Sequence, residues 1–458
     1  MKIYLETMGC QMNRLDSELA AGLLRAAGHE VMADRRGADV VLYNTCSVRR
    51  HAEDKVHSRL GVDAQRKADG RRIIIGVLGC MAQREGEGLR QRHPHVEIVC
   101  APGQLAHLPE MIERAAAGEP AVRLDPGRAS PPDDAAAAAL EQAEGGRDVA
   151  CMTSRAQAYV RVMRGCDKFC SYCVVPFVRG RERSRDPGAI VEEVRRLVDA
   201  GRTQITLLGQ TVNAYRWRQG DVTVRFSDLL ARVSAVAGLR RLRFITSHPI
   251  DFGDDVLQAM RDLAAVCEYI HCPAQSGSDA VLKRMNRRYT RAEYDDLVDR
   301  ARATVPGVVL AGDFIVGFPG ETEADHAASA DLIRRSGYKN SFIFKYSPRP
   351  GTAAERQADD VPEAVKRRRN NELLAVQDEV GLAHHRAYVG RTVEVLVEGP
   401  SPRAGRQPAS APGCVQLVGR TRWDHIVVFD GPLALADRYV SVKITDASSL
   451  TLFGEVSA

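Results

Sequence analysis

Three cysteines with short, regular spacing form the most chemically specific pattern in this chain. Cys166, Cys170 and Cys173 follow the pattern C-x3-C-x2-C, with an aromatic residue directly before the last cysteine. Cysteine thiolates are the usual protein ligands of a [4Fe-4S] cluster, which offers four irons to ligate. Three cysteines leave one iron without a protein ligand. The spacing therefore predicts an iron–sulfur cluster whose open iron can bind and activate a small molecule.

Two other uses of such cysteines fit the sequence less well. A structural zinc ion takes four ligands, and no second cysteine pair lies nearby in the sequence. Disulfide frameworks are typical of short secreted chains, whereas this chain has 458 residues and 11 cysteines, an odd number. The cluster interpretation is therefore favoured over zinc and over disulfides.

A second set of three cysteines lies in the N-terminal part of the chain. Cys10, Cys46 and Cys80 each end a short strand-like run and precede a helix-like segment, about one βα unit apart. The carboxyl ends of parallel strands meet at one edge of a sheet, where open α/β sheets bind ligands. We therefore expect the three thiols to gather in a shared site, rather than to be three separately buried cysteines.

Composition limits the class of protein. A net charge of +5 is only mildly basic, so a surface for nucleic acid should be local. No apolar run approaches the ~20 residues of a membrane span, and the chain enters a strand-like segment at once, without a signal peptide. We therefore expect no membrane association and a cytoplasmic location, where thiolates stay available for iron.

The pattern of the chain predicts three domains separated by one linker. The segment from Pro126 to Asp148 is rich in proline, alanine and glycine, as linkers are. From about Tyr159, six strand–helix repeats predict an open parallel barrel with its site at the carboxyl ends of the strands. Among the predicted elements are strands over Gln204–Leu208 and Val309–Val316 and a helix over Arg291–Thr304. From Arg391, five short β-rich runs predict a small closed barrel of OB type, with a hairpin loop from Pro400 to Pro412.

Several motifs over the whole chain resemble the methylthiotransferase branch of the radical S-adenosylmethionine (SAM) enzymes. Within that branch, the chain is most similar to the members that act on N6-isopentenyladenosine in tRNA. The stretches that carry the resemblance surround the cysteines and the end of one barrel strand: Gly9-Cys10-Gln11-Met12-Asn13, Asn44-Thr45-Cys46-Ser47-Val48-Arg49, Gly79-Cys80-Met81-Ala82-Gln83, Cys173-Val174-Val175-Pro176-Phe177 and Asp313-Phe314-Ile315-Val316-Gly317-Phe318-Pro319-Gly320-Glu321.

The resemblance implies a fold of the α/β class with an added β-barrel. The expected parts are a parallel-sheet N-terminal domain that holds an auxiliary cluster, a linker, a partial (β/α)6 radical SAM barrel, and a small OB-like TRAM barrel that binds RNA. Their expected bounds are residues 1–118, 119–151, 152–385 and 386–456.

The resemblance also implies two [4Fe-4S] clusters and SAM as cofactors. The cluster on Cys166, Cys170 and Cys173 would bind SAM and cleave it to a 5′-deoxyadenosyl radical. The cluster on the three N-terminal cysteines would carry sulfur. The implied reaction places sulfur and a methyl group on C2 of N6-isopentenyladenosine beside the anticodon, at position 37 of tRNA. A second SAM would supply the methyl group.

Further site residues follow by analogy. Tyr172 is expected to contact the adenine of SAM, and Gly317 and Gly320 are expected to let the backbone approach SAM. In an extended chain, four alternating arginines would project on one side, towards tRNA phosphates or the SAM carboxylate, although a solvated face is the alternative. These are Arg179, Arg181, Arg183 and Arg185.

The expected partners are tRNA, an electron donor and a sulfur source, and the chain is expected to be a monomer. Cys272 replaces a commonly apolar residue near the barrel mouth, so we expect it to pack rather than to ligate.

One alternative function is that of a methylthiotransferase for threonylcarbamoyl-adenosine or for a ribosomal protein, and the motif after Cys46 argues against both. Another is a non-enzymatic iron–sulfur RNA-binding protein, in which clusters normally have every corner filled.

Overall fold

The computed structural model of the protein describes residues 1–47, 50–128, 130–404 and 413–457. Val48 and Arg49 of the motif after Cys46 lie outside these residues. So does the part of the predicted 400–412 hairpin loop that follows residue 404. The described residues form the predicted fold class, with an N-terminal parallel sheet, an open barrel and a terminal closed barrel.

The N-terminal domain is a six-stranded parallel sheet with helices on both faces. The strand order is β2-β1-β3-β4-β5-β6. One apolar core includes Leu19 and Ile112, and a second core on the other face includes Val56 and Leu89. The elements are β1 (Lys2–Met8), α1 (Gln11–Ala26), β2 (Glu30–Met32), β3 (Val40–Thr45), α2 (Arg50–Ala68), β4 (Ile74–Gly79), α3 (Cys80–Glu85), α4 (Glu87–Arg92), β5 (Ile98–Cys100), α5 (Leu108–Ala116) and β6 (Ala121–Arg123).

The segment expected to be a linker, residues 119–151, is more ordered than its composition indicates. It begins with β6, which completes the N-terminal sheet. It also contains helix α6 (Asp134–Gly145), whose first turn is capped because the Asp133 carboxylate accepts from the Ala136 N–H. Leu140 of α6 is fully buried in the N-terminal core, so this helix packs against the N-terminal domain.

The second domain is an open barrel of six parallel strands in two hydrogen-bonded groups, β13-β10-β7 and β14-β15-β16. Its outer helices cover one large apolar core. Its elements are β7 (Gln157–Arg161), β8 (Met163–Arg164), α7 (Val175–Val178), β9 (Arg183–Ser184), α8 (Pro187–Asp199), β10 (Gln204–Leu208), β11 (Arg216–Gln219), β12 (Val222–Arg225), α9 (Phe226–Ser234), β13 (Arg241–Ile245), α10 (Asp254–Asp262), β14 (Tyr269–His271), α11 (Asp279–Arg284), α12 (Arg291–Thr304), β15 (Val309–Val316), α13 (Glu323–Ser336), β16 (Asn340–Lys345) and α14 (Glu363–Arg386).

The terminal domain is a closed barrel with the strand order β17-β18-β19-β21-β20. Its strands are β17 (Thr392–Pro400), β18 (Val415–Arg420), β19 (Ile426–Gly431), β20 (Tyr439–Ala447) and β21 (Thr451–Val456). It docks on the amino ends of the open-barrel strands through Asp424, which pairs with Arg243 at 3.1 Å and Lys339 at 2.8 Å. The carboxyl ends of those strands therefore stay available for the site.

A helix that crosses a bilayer needs about 20 mostly apolar residues. In the part of the chain that the structure describes, every helix is too short or too polar to traverse a membrane.

Candidate active site with two cysteine triads

The three N-terminal cysteines meet at the carboxyl edge of the parallel sheet. Cys10 is the residue before helix α1, Cys46 follows strand β3, and Cys80 is the first residue of helix α3. Cys10 makes a hydrogen bond with Cys46 and interacts electrostatically with Cys80. The fold thus brings together three thiols that are far apart in the chain.

Two asparagines and a glycine pack together beside the three cysteines. The Asn13 amide donates to Asn44 Oδ1 at 3.0 Å, and the Asn44 amide donates back to the Asn13 carbonyl at 2.9 Å. Both side chains are fully buried. Gly79 has a positive φ of 87°, and a Cβ there would lie 2.4 Å from Asn44 Oδ1. These contacts explain why asparagine and glycine accompany the cysteines in the sequence.

The barrel triad lies in the loop between β8 and α7, and a neighbouring segment holds this loop in place. The Ser171 N–H donates to the Met285 carbonyl at 2.9 Å, and the Ser171 hydroxyl donates to the Arg284 carbonyl at 2.9 Å. The Asn286 amide donates to the Phe169 carbonyl at 2.8 Å. Tertiary hydrogen bonds therefore position the loop that carries the barrel triad.

Two side chains that the sequence did not single out contact the sulfurs of the barrel triad. Arg287 Nη1 donates to Cys170 Sγ at 3.5 Å, and its Nη2 donates to the Pro273 carbonyl at 2.6 Å. The Thr211 hydroxyl lies 3.4 Å from Cys166 Sγ. Hydrogen bonds to cysteine sulfur tune the potential of an iron–sulfur cluster, so both side chains are candidates for that role.

The N-terminal triad lies against the segment that follows the barrel triad. Val174 and Val178, just after Cys173, pack together with Cys80. Cys10 packs against an apolar cluster that includes Leu208 at the end of β10. Both contacts place the N-terminal triad beside the carboxyl ends of the barrel strands.

Arg179 crosses the boundary between the two domains. Its Nε donates to Cys80 Sγ at 3.1 Å, and its Nη2 pairs with Asp16 at 2.8 Å. The Arg179 side chain is 6% exposed. A barrel residue that directly follows helix α7 thus completes the surroundings of an N-terminal cysteine.

A buried network of ion pairs fixes this relative orientation. Arg161, at the end of β7, pairs with Asp16 of α1 at 2.8 Å and donates to Glu144 of α6 at 2.5 Å. Arg185 pairs with Glu193 of α8 at 2.9 Å. All of these side chains are almost fully buried. Breaking one buried pair leaves an uncompensated charge, at a cost of about 3–5 kcal/mol, so the network favours one docked arrangement.

The thiols differ in acidity because their surroundings differ. The hydrogen bond with Cys46 lowers the pKa of Cys10 to about 6. Burial raises the pKa of Cys80 and of Cys166, and it raises the pKa of Cys173 to about 12. Iron binds the thiolate, so loading of the buried positions must release protons.

The four alternating arginines do not form the single row that an extended chain would give. Arg179 follows helix α7 and turns towards Cys80, and Arg185 is buried against carboxylates. Only Arg181 and Arg183 are exposed. The expectation of one continuous row for tRNA or SAM is therefore wrong for Arg179 and Arg185, because Arg179 pairs with Asp16 of the N-terminal domain and Arg185 pairs with buried carboxylates.

Of the residues that were assigned to SAM by analogy, Tyr172 lies within the barrel triad, and Gly317 and Gly320 flank Phe318, which packs against Tyr172. The Tyr172 ring packs edge-on against Phe318, with ring centroids 6.5 Å apart. Gly317 has a φ of 69°, and a Cβ there would lie 2.3 Å from Lys366 Cγ, so glycine is required for packing as well. The Gly320 N–H donates to Asp360 Oδ1 at 2.7 Å.

Several buried polar atoms around the barrel triad have no hydrogen-bond partner among the described residues. They are Gln210 Oε1, Ser247 Oγ and His248 Nε2. These residues follow strands β10 and β13 at the barrel mouth, and burial lowers the pKa of His248 to about 2, which keeps its ring neutral. Unpaired buried polar atoms are costly, so they point to a polar ligand such as SAM.

The donor set fits two clusters better than it fits single metal ions. Among the described residues, no three His, Cys, Asp or Glu side chains converge closely enough to bind one ion. In a cubane each cysteine binds a different iron, so the sulfurs need not converge. Cys272 belongs to neither triad. It is buried in the core beneath the outer helices, as expected for a packing residue.

Comparison with protein families assigns each domain. Residues 2–101 match the uncharacterized protein family UPF0004, residues 160–333 match the radical SAM superfamily, and residues 386–457 match the TRAM domain. Among solved structures, the radical SAM methyltransferase TsrM from Kitasatospora setae shares the fold, with a TM-score of 0.55 at 14% identity, over 91% of this chain and 77% of that one.

Relatives that match nearly the full length of the chain identify its family more narrowly than the domain matches do. A tRNA-2-methylthio-N(6)-dimethylallyladenosine synthase of Rhodopirellula baltica is 47% identical, over 99% of this chain and 95% of that protein. The enzyme of the same name from Moorella thermoacetica is 42% identical, over 98% of this chain and 97% of that protein.

The open barrel with its C-x3-C-x2-C loop defines an enzyme of the radical SAM class, which uses SAM and a [4Fe-4S] cluster. Identity to the curated relatives extends over nearly the whole length of all three domains. The chain belongs to the family of tRNA-2-methylthio-N(6)-dimethylallyladenosine synthases.

Proposed function

We propose that this enzyme adds sulfur and a methyl group to C2 of N6-isopentenyladenosine at position 37 of tRNA, beside the anticodon. The product is 2-methylthio-N6-isopentenyladenosine. The proposal follows from family membership together with one structural observation. The segment that follows the barrel triad packs against the N-terminal triad, through Val174 and Val178 and through the Arg179–Cys80 contact at 3.1 Å. A sulfur carrier beside a radical source is the arrangement that the reaction needs.

The six cysteines are proposed as the ligands of two [4Fe-4S] clusters. When bound, the clusters and SAM supply a carbon radical that can remove hydrogen from an unactivated C–H bond, and they supply the sulfur and methyl groups that replace it. Arg287 and Thr211 hold the sulfurs of the barrel triad, and Arg179 holds Cys80. The side chains of Arg287 and Thr211 are almost fully buried beside these sulfurs.

The SAM site is proposed to include Tyr172, Gly317 and Gly320, as the resemblance indicated. We add the unpaired polar atoms of Gln210, Ser247 and His248, which surround the same triad. A zwitterionic amino acid with an attached nucleoside offers matching donors and acceptors to such atoms.

The tRNA is proposed to contact the exposed pair Arg181 and Arg183 and the terminal barrel. Arg183 pairs with Asp134 on the surface at 2.8 Å, a contact that a phosphate could replace at little cost. The terminal barrel has exposed basic side chains on two strands and their flanks, among them Arg391, Arg438 and Lys443. Phosphate contacts of this kind position the RNA without reading its sequence.

The remaining partners are proposed from the chemistry. Reduction of the barrel cluster needs an external electron donor, and repeated turnover needs an external sulfur source. We propose that the enzyme works as a monomer in the cytoplasm, because its ligand sets are complete within one chain and free thiols persist in a reducing compartment.

Turnover with chemically defined RNA tests the proposal. Anaerobically loaded enzyme is given SAM, a reductant, sulfide and one of three anticodon stem-loops, which carry N6-isopentenyladenosine, unmodified adenosine or threonylcarbamoyl-adenosine. Nucleoside mass spectrometry should detect the methylthio product mainly with the first RNA. Equal turnover of the first two RNAs, or preference for the third, would contradict the assignment.

A further inference from the structure

The last strand of the open barrel carries an exposed aromatic pair that has no role in the site described above. Phe342 and Phe344 of β16 are 49% and 43% exposed. Their ring centroids are 6.4 Å apart, and the ring planes differ by only 14°. Two large apolar side chains in this arrangement form a continuous wall, and exposed apolar walls commonly mark contact sites.

This wall faces the interior of the open barrel. In the pairing of β15 with β16, Asp313 lies opposite Phe342, and Ile315 lies opposite Phe344. The alternate residue Phe314 points the other way, into the core beneath the outer helices. Because β16 is an edge strand of its sheet, the wall borders the lateral opening of the barrel.

The wall continues towards the barrel triad. Ile315, the neighbour of Phe344, packs against an apolar cluster that includes Phe318 and Tyr346. Tyr172 packs against the same cluster and lies between two cysteines of the triad. A ligand that lies on the wall can therefore extend to the region where the radical would form.

A histidine with one unpaired ring nitrogen lies beside this wall. The His271 ring lies edge-on to Phe342, with centroids 6.5 Å apart, and its Nε2 is 3.1 Å from Asp313 Oδ1. A carboxylate only accepts, so Nε2 donates, and in a ring that carries one proton Nδ1 is then an acceptor. Nδ1 is buried and has no partner among the described residues.

We propose that Phe342 and Phe344 contact the isopentenyl branch of the substrate adenine, and that His271 Nδ1 accepts the hydrogen that remains on N6. This inference rests on the proposed function. A prenylated N6 carries one N–H and one apolar branch, which match an acceptor beside an apolar wall. A threonylcarbamoyl group would instead bring a carboxylate against aromatic rings and close to Asp313, where it would lose hydration. The wall thus selects the prenylated base.

The test compares binding and turnover of two anticodon stem-loops that differ only in the isopentenyl group. The variants are the double substitutions F342A/F344A and F342L/F344L in the full-length, cluster-loaded enzyme. Val222→Ala, an exposed apolar residue on β12, is the matched control. Binding is measured by fluorescence anisotropy, and turnover is measured as kcat/KM. Iron content and thermal unfolding confirm that each variant is folded.

The alanine pair should lose about tenfold or more of the preference for prenylated RNA, since even one methylene in an apolar pocket is worth that much. Its affinity for unprenylated RNA should not change, the leucine pair should keep most of the preference, and V222A should behave as wild type. Equal losses with both RNAs, or no loss, would overturn the inference. If wild-type enzyme itself fails to modify prenylated RNA, the proposed function fails instead.

Discussion

Arg179 Nε donates to Cys80 Sγ at 3.1 Å, although the arginine belongs to the radical SAM barrel and the cysteine to the N-terminal domain. The same guanidinium pairs with Asp16, on the helix that begins just after Cys10. The surroundings of the N-terminal triad are therefore complete only when the two domains are docked. The segment that directly follows the barrel triad therefore contributes to the surroundings of the N-terminal triad as well.

Replacing Arg179 should affect the N-terminal site selectively. Arg179→Met leaves Asp16 buried without one of its cations, so we expect a loss of about 3–5 kcal/mol in the free energy of unfolding. We also expect an altered electron paramagnetic resonance spectrum and potential of the N-terminal cluster, because one hydrogen bond to sulfur is lost. Arg179→Lys should lose less stability than Arg179→Met and should change the spectrum of the N-terminal cluster less.

The control for Arg179 is Arg195→Met, an exposed residue on helix α8. It should leave stability and both spectra unchanged. If Arg179→Met changed the spectra of both clusters equally, its effect would be general rather than local.

Arg287 should show the opposite selectivity. Arg287→Lys shortens the side chain that donates to Cys170 Sγ at 3.5 Å, so the signal of the barrel cluster should change and that of the N-terminal cluster should not. The measurement is the spectrum of each cluster in a protein whose other triad has been changed to alanine. A change confined to the N-terminal cluster would refute the role of Arg287.

The triads should load iron independently. The fully loaded protein should hold about eight irons in two cubanes. The triple change of Cys166, Cys170 and Cys173 to alanine should remove about half of the iron and abolish SAM cleavage. The same change at the three N-terminal cysteines should remove the other half and leave SAM cleavage intact. Full iron content in this second variant would disprove the N-terminal site.

The exposed arginines should contribute to the salt dependence of tRNA binding. Each phosphate contact contributes roughly 0.7–0.9 to the slope of log affinity against log salt. The double variant R181Q/R183Q should therefore flatten the slope by about one to two units, whereas Arg195→Gln should not change it. Binding is measured by filter retention at several salt concentrations. An unchanged slope in the double variant would remove these arginines from the RNA surface.

Docking of the terminal barrel should weaken in acid. Burial opposes the charge of Asp424, but Lys339, Arg420 and Arg243 outweigh it and hold the pKa of this carboxyl well below its usual range. Its folded pKa is lower than its unfolded pKa, so its stabilising contribution is complete above about pH 5 and is lost as the pH falls below about 4.

Hydrogen exchange of strands β17 to β21 as a function of pH measures this docking. Asp424→Asn should lower the protection factors, the intrinsic divided by the observed exchange rates, at neutral pH. It should also remove most of their dependence on pH between pH 5 and pH 3. A variant that kept the wild-type pH profile would show that another group controls the docking.

Local sequence patterns were sufficient to predict much of the fold. Strands β10 and β15 have the predicted bounds of Gln204–Leu208 and Val309–Val316, because a run of apolar and β-branched residues is enough to define a buried parallel strand. Helix α12 likewise has the predicted bounds of Arg291–Thr304, with a capping box at Thr290. Helix α6 was missed, because its alanine-rich segment lies between proline and glycine clusters that are typical of linkers.

The sequence by itself determined the class of chemistry, because cysteine spacing within one loop, and cysteines at the ends of successive parallel strands, are local properties. Only the tertiary structure decided where the charged side chains act. Arg179 and Arg181 are two residues apart, yet one is buried against Cys80 and the other is exposed. That difference depends on Asp16 and Cys80, which lie far away in the chain, and such long-range pairs leave no periodic trace in a sequence.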